Sequence, residues 1–364
     1  MKKVLCMVLA LLMSLLAVGT ASADSADKPY AGTEIVVFNW YDYIDPSVID
    51  MFTEETGITV KYANFTNNEE MYTKLTANPG AYDVIVPSDY IIERMIADDA
   101  LLKLDPALMP NIAGLCDWVK TPAYDPTGEY SVPYMWGTLG ILYNTTMVDE
   151  PITSWDAMFD EKYAGDVLLI NNSRDALGMA LYYLGYSVNT TDEAQIREAF
   201  QLLSDAVSKG VYQGKVMDEV FQKMEQGNAA IATYYAGDYL TMLENNPDLA
   251  YVVPEEGSNW FVDAMCILKD AQNVDEAHEW INFLASTEAN LANMDYIWYA
   301  SPNTEALEQY PAYYEETYGE PLDMELYEIM AAPQEVLDRC EAYLVTPPDI
   351  RNLYNELWTQ LGIN

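Results

Sequence analysis

The feature that most limits the fold of this chain is a series of short, continuously apolar segments. Residues 35–38, 84–86 and 167–170 are rich in β-branched or long apolar side chains and are too short to be helices. Such runs are typical of strands buried on both faces of a parallel sheet. Segments with helical periodicity, such as Pro46–Thr56, lie between them. We therefore predict an α/β fold with mostly parallel sheets and right-handed crossovers.

Each predicted strand leads into side chains that carry rings, carboxylates, hydroxyls or amides. They are Trp40, Tyr41, Asp42 and Tyr43 after the first run, Ser88 and Tyr90 after the run at 84–86, Asn172 and Asp175 after the run at 167–170, Tyr235 after residues 229–233, Phe261 and Asp263 in the extended segment 260–267, and Tyr299 further on. Parallel strands deliver their carboxyl ends to one edge of a sheet, where open α/β folds bind ligands. We predict that these residues form one ligand site.

The chemistry of these residues suits an organic cation. Ring faces carry a negative quadrupole and attract cations, while carboxylates supply the counter-charge. A linear polyamine would place its ammonium groups on separate carboxylates, its methylenes on the rings and its remaining N–H donors on hydroxyls. The pattern therefore predicts a di- or polyamine ligand.

The overall charge is compatible with that ligand but does not select it. The chain has 58 acidic residues against 17 basic ones. A field of this sign repels nucleic acid and anionic membranes and concentrates small cations. It is equally typical of acidic exported proteins without a cationic ligand.

The N-terminus has the pattern of a cleavable signal peptide. Lys2 and Lys3 precede an apolar run that is shorter than a membrane span and ends at Ala21, Ser22 and Ala23. This arrangement predicts export, with residues 1–23 removed. We expect a soluble mature protein without direct membrane insertion, in the periplasm or at the cell surface.

Cysteine and histidine usage favours neither a zinc site nor a cofactor. Three cysteines remain after cleavage; Cys266 lies in an apparent buried strand, and we expect it to be free and Cys116 to pair with Cys340. The single histidine, His278, lies among apolar residues of a predicted helix, which favours a packing role over metal binding.

Several segments resemble the bacterial spermidine/putrescine-binding proteins, in order along nearly the whole mature chain. The matching segments are 38–40, 52–58, 82–88, 131–137, 153–155, 179–181, 184–187, 189–192 and 281–284. The resemblance implies a two-lobed periplasmic-binding-protein fold (type II), with crossing strands that join the lobes. It implies a monomeric binding component of an ABC importer that delivers a polyamine to permease subunits, and no enzymatic activity. We expect lobe 1 at 24–137 plus 263–305, and lobe 2 at 138–262 plus 306–364.

The same resemblance implies that the residues named above contact the ligand, with three departures from the family pattern. Asn172 stands where a carboxylate is common, which should weaken a triamine relative to a diamine. Tyr235 and Phe261 replace residues that are often tryptophan. We choose Phe261 over Trp260 because a spacing of two puts it on the face of Asp263. We expect Asp175 and Asp263 to neutralise one ligand end, and Asp42, Tyr43, Ser88 and Tyr90 to receive the other.

Two other functions remain open at this stage. Adjacent tyrosines such as Tyr234 and Tyr235 also occur in ferric-binding proteins, and phenolate and carboxylate oxygens suit a hard cation. A secreted hydrolase could use a pair of carboxylates, although the sequence has no nucleophile elbow, no His-Glu-x-x-His motif and no phosphate-binding glycine loop.

Overall fold

A computed structural model describes residues 28–120 and 122–363. The predicted signal peptide, residues 1–23, lies outside this part of the chain. Within it, no helix is long and apolar enough to cross a membrane.

The described residues contain one nine-stranded mixed sheet with the order β2-β1-β3-β9-β4-β7-β5-β6, and β8 pairs with β4. The strands are β1 (Glu34–Trp40), β2 (Thr59–Phe65), β3 (Val84–Ile85), β4 (Val132–Asn144), β5 (Val167–Ile170), β6 (Tyr212–Val216), β7 (Ile231–Tyr235), β8 (Leu249–Val252) and β9 (Trp260–Ile267). Because β1 is parallel to β2 and β3, and β5 is parallel to β6 and β7, the sheet contains two parallel groups.

Helices flank both groups of strands. They are α1 (Pro46–Thr56), α2 (Asn68–Ala77), α3 (Asp89–Ala97), α4 (Ser173–Tyr183), α5 (Glu193–Ser208), α6 (Glu219–Glu225), α7 (Ala236–Leu243), α8 (Val274–Leu284), α9 (Thr287–Ile297), α10 (Thr304–Tyr318), α11 (Met324–Met330), α12 (Gln334–Leu337) and α13 (Pro348–Gln360). Short 3-10 turns occur at Pro106–Leu108, Pro110–Gly114, Asp117–Val119, Trp155–Met158 and Glu161–Tyr163. The α/β class predicted from the sequence is confirmed.

Two long antiparallel strands join the parallel groups. β4 pairs with β9 on one side and with β7 on the other, and β9 also pairs with β3. All thirteen residues of β4 are buried, and only Thr138 and Asn144 among them have polar side chains apart from the tyrosines and the tryptophan. These are the crossing strands that the sequence predicted.

The buried apolar residues form two clusters on the β1 group of strands and one cluster around β5. Phe52 and Trp280 pack edge to face, with ring centroids 4.9 Å apart, beneath the β1 group. Trp155 is fully buried in a separate cluster around β5. Helix α9 contributes to both sides, since Ala289 packs with the cluster of Phe52 and Met294 with the cluster around β5.

Local signals in the sequence set the bounds of α1. Asp45 accepts a hydrogen bond from the Ser47 amide, and Pro46 occupies the first helical position. Gly57 ends the helix with φ of 76°, a left-handed conformation that glycine adopts without steric cost. Both ends match the prediction.

The polar strand β6 was not predicted. Tyr212–Val216 is a strand, and α6 begins at Glu219. This edge strand has no alternation of apolar and polar side chains, because its middle residues are Gln213, Gly214 and Lys215. It is recognised as a strand by its pairing with β5. The helices α9 to α12 were also not assigned from the sequence.

The predicted pairing of Cys116 with Cys340 is wrong. Both thiols are free, as is that of Cys266. Cys116 accepts a hydrogen bond from Thr304, and Cys340 donates one to the Val336 carbonyl. The number of cysteines and the oxidising compartment do not indicate whether Cys116 and Cys340 lie close together in the fold.

His278 has the packing role that was expected. It is 3% exposed, its Nε2 accepts from the Asp105 amide at 3.0 Å, and its Nδ1 donates to the Val274 carbonyl at 2.7 Å. Nε2 therefore joins α8 to the segment that begins the 3-10 turn at Pro106–Leu108, and Nδ1 bonds within α8.

Candidate functional site

One cavity of about 280 Å³ lies beside the crossing strands, where β1, β3, β5 and β7 end. Every residue named from the strand-end pattern lines it: Trp40, Tyr41, Asp42, Tyr43, Ser88, Tyr90, Asn172, Asp175, Tyr235, Phe261, Asp263 and Tyr299. The structure therefore brings these residues together. That they contact a ligand stays a prediction.

Asp263 is a buried carboxylate with two hydroxyl donors. It lies on β9, is 4% exposed, and accepts from Ser88 Oγ at 2.7 Å and from the Tyr43 hydroxyl at 2.9 Å. Ser88 precedes α3, yet its side chain makes no cap hydrogen bond to that helix because it turns to Asp263 instead. Burial raises the pKa of Asp263 to about 6, although both hydroxyls lower it.

Asp175 is a second carboxylate with two hydroxyl donors. It lies in the first turn of α4, is 2% exposed, and accepts from Tyr235 at 2.7 Å and from Tyr343 at 3.0 Å. Burial raises the pKa of Asp175 to about 6, while both phenols and the neighbouring Arg174 lower it. Asp263 and Asp175 therefore have different hydroxyl donors, and no donor bridges them. Their predicted grouping at one end of a ligand stays a prediction.

Asn172 has a local structural role beside its place in the cavity. Its side-chain oxygen accepts from the amides of Arg174 and Asp175 and so caps α4. Asparagine and aspartate cap helices about equally well, so this role suits the amide without selecting it over a carboxylate.

A third carboxylate, Asp238, was missed in the sequence. It follows Tyr235 by three residues in the first turn of α7, lines the cavity and accepts from the Tyr299 hydroxyl at 3.0 Å. Burial raises the pKa of Asp238 to about 7, with smaller contributions from the carboxylates of Asp218 and Asp42, although the Tyr299 hydroxyl lowers it. The signal was present, since an acid in the turn after a strand end is the pattern used for Asp175.

Tyr299 reaches Asp238 between two glycines. A Cβ on Gly237 would lie 2.4 Å from the Tyr299 ring, and a Cβ on Gly137 would lie 3.1 Å from it. Gly137 is on β4 and Gly237 is in α7, so the ring lies between the crossing strand and the second parallel group. The close approach of the ring requires glycine at Gly237, whereas a Cβ at Gly137 would need the ring to move by a few tenths of an ångström.

Aromatic rings complete the wall of the cavity. The ring centroids of Tyr235 and Phe261 are 5.4 Å apart, and those of Phe261 and Tyr299 are 6.1 Å apart. Trp260 packs against Trp118 instead and does not line the cavity, so the choice of Phe261 over Trp260 agrees with the structure. Tyr41 lines the cavity but is 68% exposed.

Other acids and phenols that line the cavity also escaped the sequence analysis. They are Asp89, Asp218, Tyr296 and Tyr343. Tyr234, which the sequence singled out only as a possible iron ligand, lines the cavity as well. Asp89 is 2% exposed, one of its carboxylate oxygens has no partner, and burial raises its pKa to about 8. None of the described residues that line the cavity is a lysine, arginine or histidine. The site is rich in hydrogen-bond acceptors and suits a positively charged guest.

The tyrosine pair that suggested iron binding has other partners. Tyr235 donates to Asp175, and burial raises the pKa values of both Tyr234 and Tyr235 well above that of free tyrosine. This disfavours the phenolate form that binds ferric iron. The described residues contain no cluster of three or more histidine, cysteine, aspartate or glutamate side chains arranged for a metal ion.

Comparison with known proteins places the chain among solute-binding proteins. Residues 47–317 match the family model described as bacterial extracellular solute-binding protein. The spermidine/putrescine-binding periplasmic protein of Salmonella typhimurium is 32% identical over 293 residues, covering 80% of this chain and 82% of that protein. The putrescine-binding periplasmic protein SpuD of Pseudomonas aeruginosa is 32% identical over 314 residues, covering 80% of this chain and 85% of SpuD.

Solved structures agree with the sequence matches. A Listeria monocytogenes chain described as a spermidine/putrescine ABC transporter is 37% identical, with a TM-score of 0.83, and the match covers 90% of this chain and 98% of that one. The fold and the arrangement of its elements are therefore those of the matched binding proteins.

Proposed function

We propose that this chain, which belongs to the family of bacterial extracellular solute-binding proteins, captures a di- or polyamine for an ABC importer. Members of this family are solute-binding transport proteins rather than enzymes. The observation that carries the proposal is a single cavity with several buried carboxylates, a wall of rings and no cationic side chain. A neutral or anionic solute would leave these carboxylates without counter-charge, at a high desolvation cost.

The cavity offers an ammonium group three separate carboxylates. Asp263, Asp175 and Asp238 each accept one or two hydroxyl hydrogen bonds, which leaves lone pairs for N–H donors of the ligand. Because Asp263 and Asp175 have separate hydroxyl donors, we propose that each binds its own ammonium, in place of the expected grouping of both at one ligand end.

Rings and smaller polar groups are proposed to line the path between these carboxylates. Ring faces bind methylenes and cationic nitrogens, and hydroxyls and amides accept or donate the remaining hydrogen bonds. The residues proposed for these contacts are Trp40, Tyr41, Asp42, Tyr43, Ser88, Tyr90, Asn172, Tyr235, Phe261 and Tyr299.

Putrescine and spermidine remain the leading ligands. Asn172 lacks the charge that a third nitrogen would meet at that position, which favours a diamine. Asp238 supplies a carboxylate elsewhere in the cavity, which would suit the third nitrogen of a triamine. The similar proteins include both spermidine/putrescine-binding and putrescine-binding members, so the length of the ligand is a matter for measurement.

We also propose that the protein has two lobes that close around the ligand. We propose lobe 1 at 24–137 plus 263–305 and lobe 2 at 138–262 plus 306–364, joined by β4 and β9. The cluster around β5 draws most of its residues from lobe 2, and the cluster around Phe52 draws its residues from lobe 1, which supports this division. Tyr299 of lobe 1 already reaches Asp238 of lobe 2. Closure around the ligand would be the signal that permease subunits recognise.

The cellular context is proposed from the relatives. The matched Salmonella and Pseudomonas proteins are periplasmic. We propose that this chain is exported through a cleaved signal peptide at residues 1–23 and acts as a monomer outside the cytoplasm with ABC permease subunits.

The test is calorimetric titration with diamines of increasing length and with spermidine. Glucose, glutamate and ferric citrate serve as controls that carry no linear polyamine. We expect binding of at least one amine and none of the controls. Asp263→Asn should abolish most of the affinity, while Asp149→Asn, at a side chain that is 84% exposed, should leave it unchanged. Binding of a control solute in place of every amine would contradict the proposal.

A further inference from the structure

We propose that Tyr343 is a positioning residue that holds the carboxylate of Asp175 ready for a cationic nitrogen. This inference rests on the proposed polyamine function and assigns a role to a segment near the C-terminus that the sequence did not connect to the site. The segment, residues 341–346, lies between α12 and α13 and delivers Tyr343 to the cavity.

The backbone on both sides of Tyr343 is fixed to lobe 2 by one asparagine. Asn189 donates from Nδ2 to the Ala342 carbonyl at 2.9 Å, and its Oδ1 accepts from the Leu344 amide at 2.8 Å. The Glu341 amide also donates to the Ser258 carbonyl at 3.0 Å. These bonds leave the Tyr343 side chain little freedom, and it is 5% exposed.

The guanidinium of Arg174 lies over the ring of Tyr343 and restricts its position. Its guanidinium carbon lies 4.4 Å from the Tyr343 ring centroid, and its Nη1 and Nη2 donate to the Leu344 carbonyl at 3.4 Å. Arg174 directly precedes Asp175, so it lies beside both the Tyr343 ring and the carboxylate to which the Tyr343 hydroxyl donates.

Gly178 makes room for the hydroxyl group. It lies three residues after Asp175, on the same face of α4, and a Cβ there would be 2.8 Å from the Tyr343 hydroxyl oxygen. With glycine at this position, the Tyr343 hydroxyl crosses the helix surface and donates to Asp175 Oδ1 at 3.0 Å. Tyr235 holds Oδ2 at 2.7 Å, so the carboxylate is fixed at both oxygens.

The two phenols keep Asp175 charged against the effect of burial. Burial raises the pKa of Asp175, and the hydrogen bonds from Tyr235 and Tyr343 lower it. The titratable or charged groups around the carboxylate are Arg174 on α4, Glu69 on α2, Tyr90 on α3, Tyr234 and Tyr235 on β7, and Tyr343. Loss of the Tyr343 donor would raise the pKa of Asp175 and reduce its charged fraction near neutral pH.

The test compares Tyr343→Phe with Tyr354→Phe. Tyr354 is the matched control because its ring also lies against Arg174, at 5.7 Å, but on α13 and outside the cavity. In the full ligand-free chain, the carboxyl ¹³C shift of Asp175, assigned with Asp175→Asn, is followed against pH. We expect Tyr343→Phe to raise the pKa of Asp175 and Tyr354→Phe to leave it unchanged.

A second measurement follows putrescine or spermidine affinity at two pH values. We expect Tyr343→Phe to weaken binding about threefold at pH 8 and about tenfold at pH 6, because the lost donor matters most where Asp175 is partly protonated. Gly178→Ala should reproduce this pattern by displacing the hydroxyl. An unchanged pKa of Asp175, or an equal loss at both pH values, would overturn the inference. If the wild-type chain binds no amine, the proposed function fails, and the ligand-free titration still decides the role of Tyr343.

Discussion

The two best-defined carboxylates of the cavity, Asp263 and Asp175, are alike in hydrogen bonding and unlike in charge. Each accepts two hydroxyl groups, and burial raises the pKa of each to about 6. Arg174 lies beside Asp175 and lowers its pKa, whereas hydroxyl groups alone oppose the effect of burial on Asp263. Asp175 therefore has part of its counter-charge in the protein, and Asp263 depends on the ligand for it.

This difference predicts that the two carboxylates contribute unequally to binding. Asp263→Asn should weaken polyamine binding by about 2 to 5 kcal/mol, the range for breaking one side of a desolvated charge pair. Asp175→Asn should cost less, because Arg174 already offsets part of that charge. Calorimetric titration of both variants measures the difference. Equal losses of affinity, or a larger loss in Asp175→Asn, would show that Arg174 does not offset the charge of Asp175 enough to reduce its contribution to binding.

Protonation offers a second way to compare the two carboxylates, with an effect that is next in size. Both carry pKa values of about 6 in the free protein, so both lose charge as the pH falls through 6, while an aliphatic ammonium stays charged. Affinity should fall by about tenfold per pH unit for each carboxylate that must give up a proton on binding. Calorimetry between pH 8 and pH 5 should give a steeper slope for the wild type than for Asp263→Asn. A pH-independent affinity over this interval would contradict the account.

The same titration has the opposite sign for the stability of the free protein. The folded-state pKa of each carboxylate lies above the ordinary value of 3.8, so the stabilising contribution is complete below 3.8 and is lost as the pH rises through about 6. The ligand-free melting temperature should therefore rise between pH 7 and pH 5, while the increase produced by putrescine shrinks. A weaker affinity at pH 5 in a protein whose ligand-free melting temperature has risen is a loss of binding and not a loss of folding.

The glycines around Tyr299 test a contact between the two proposed lobes. Gly237→Ala would place a Cβ 2.4 Å from the ring, and Gly137→Ala one at 3.1 Å. Overpacking of this kind costs about 1 to 3 kcal/mol, so we expect Gly237→Ala to weaken binding by about tenfold and Gly137→Ala by less. Titration and a melting curve of each variant check this. Unchanged affinity in Gly237→Ala would mean that Tyr299 need not lie there in the bound form.

The smallest expected effect is that of salt. Both carboxylates are buried, so ions in solution screen only the long-range field of the acidic surface. Raising the ionic strength from about 0.05 to 0.5 M should weaken binding by only a few-fold. A loss of several hundredfold would place the decisive charges at the surface instead of in the cavity.

The contrast between Asp263 and Asp175 also explains what the sequence could predict. Ser88 and Tyr43 follow β3 and β1, which are parallel and end at the same edge of the sheet. Asp263 lies near the start of β9, which is antiparallel to β3 and therefore brings it to the same edge. The same reasoning found Asp175 and Tyr235. It could have found Asp238, which follows a strand end in the same way, but that acid was not singled out among the many acidic residues of the chain.

Tyr343 could not be found by this reasoning. It is 168 residues from Asp175 and lies in a segment without regular secondary structure, so no periodicity or strand end points to it. Its place depends on Asn189, Arg174 and Gly178, which meet only in the folded chain. The polar strand β6 escaped for a related reason, since its pairing with β5 and not its own pattern makes it a strand.

The most direct test is a crystal structure of the closed protein grown with putrescine and, separately, with spermidine. We predict an ammonium nitrogen about 3 Å from Asp263 and a second one at Asp175 or Asp238, with the methylenes against Trp40 and Phe261. A neutral or anionic molecule in the cavity, or Asp263 and Asp175 turned away from the bound amine, would contradict the account.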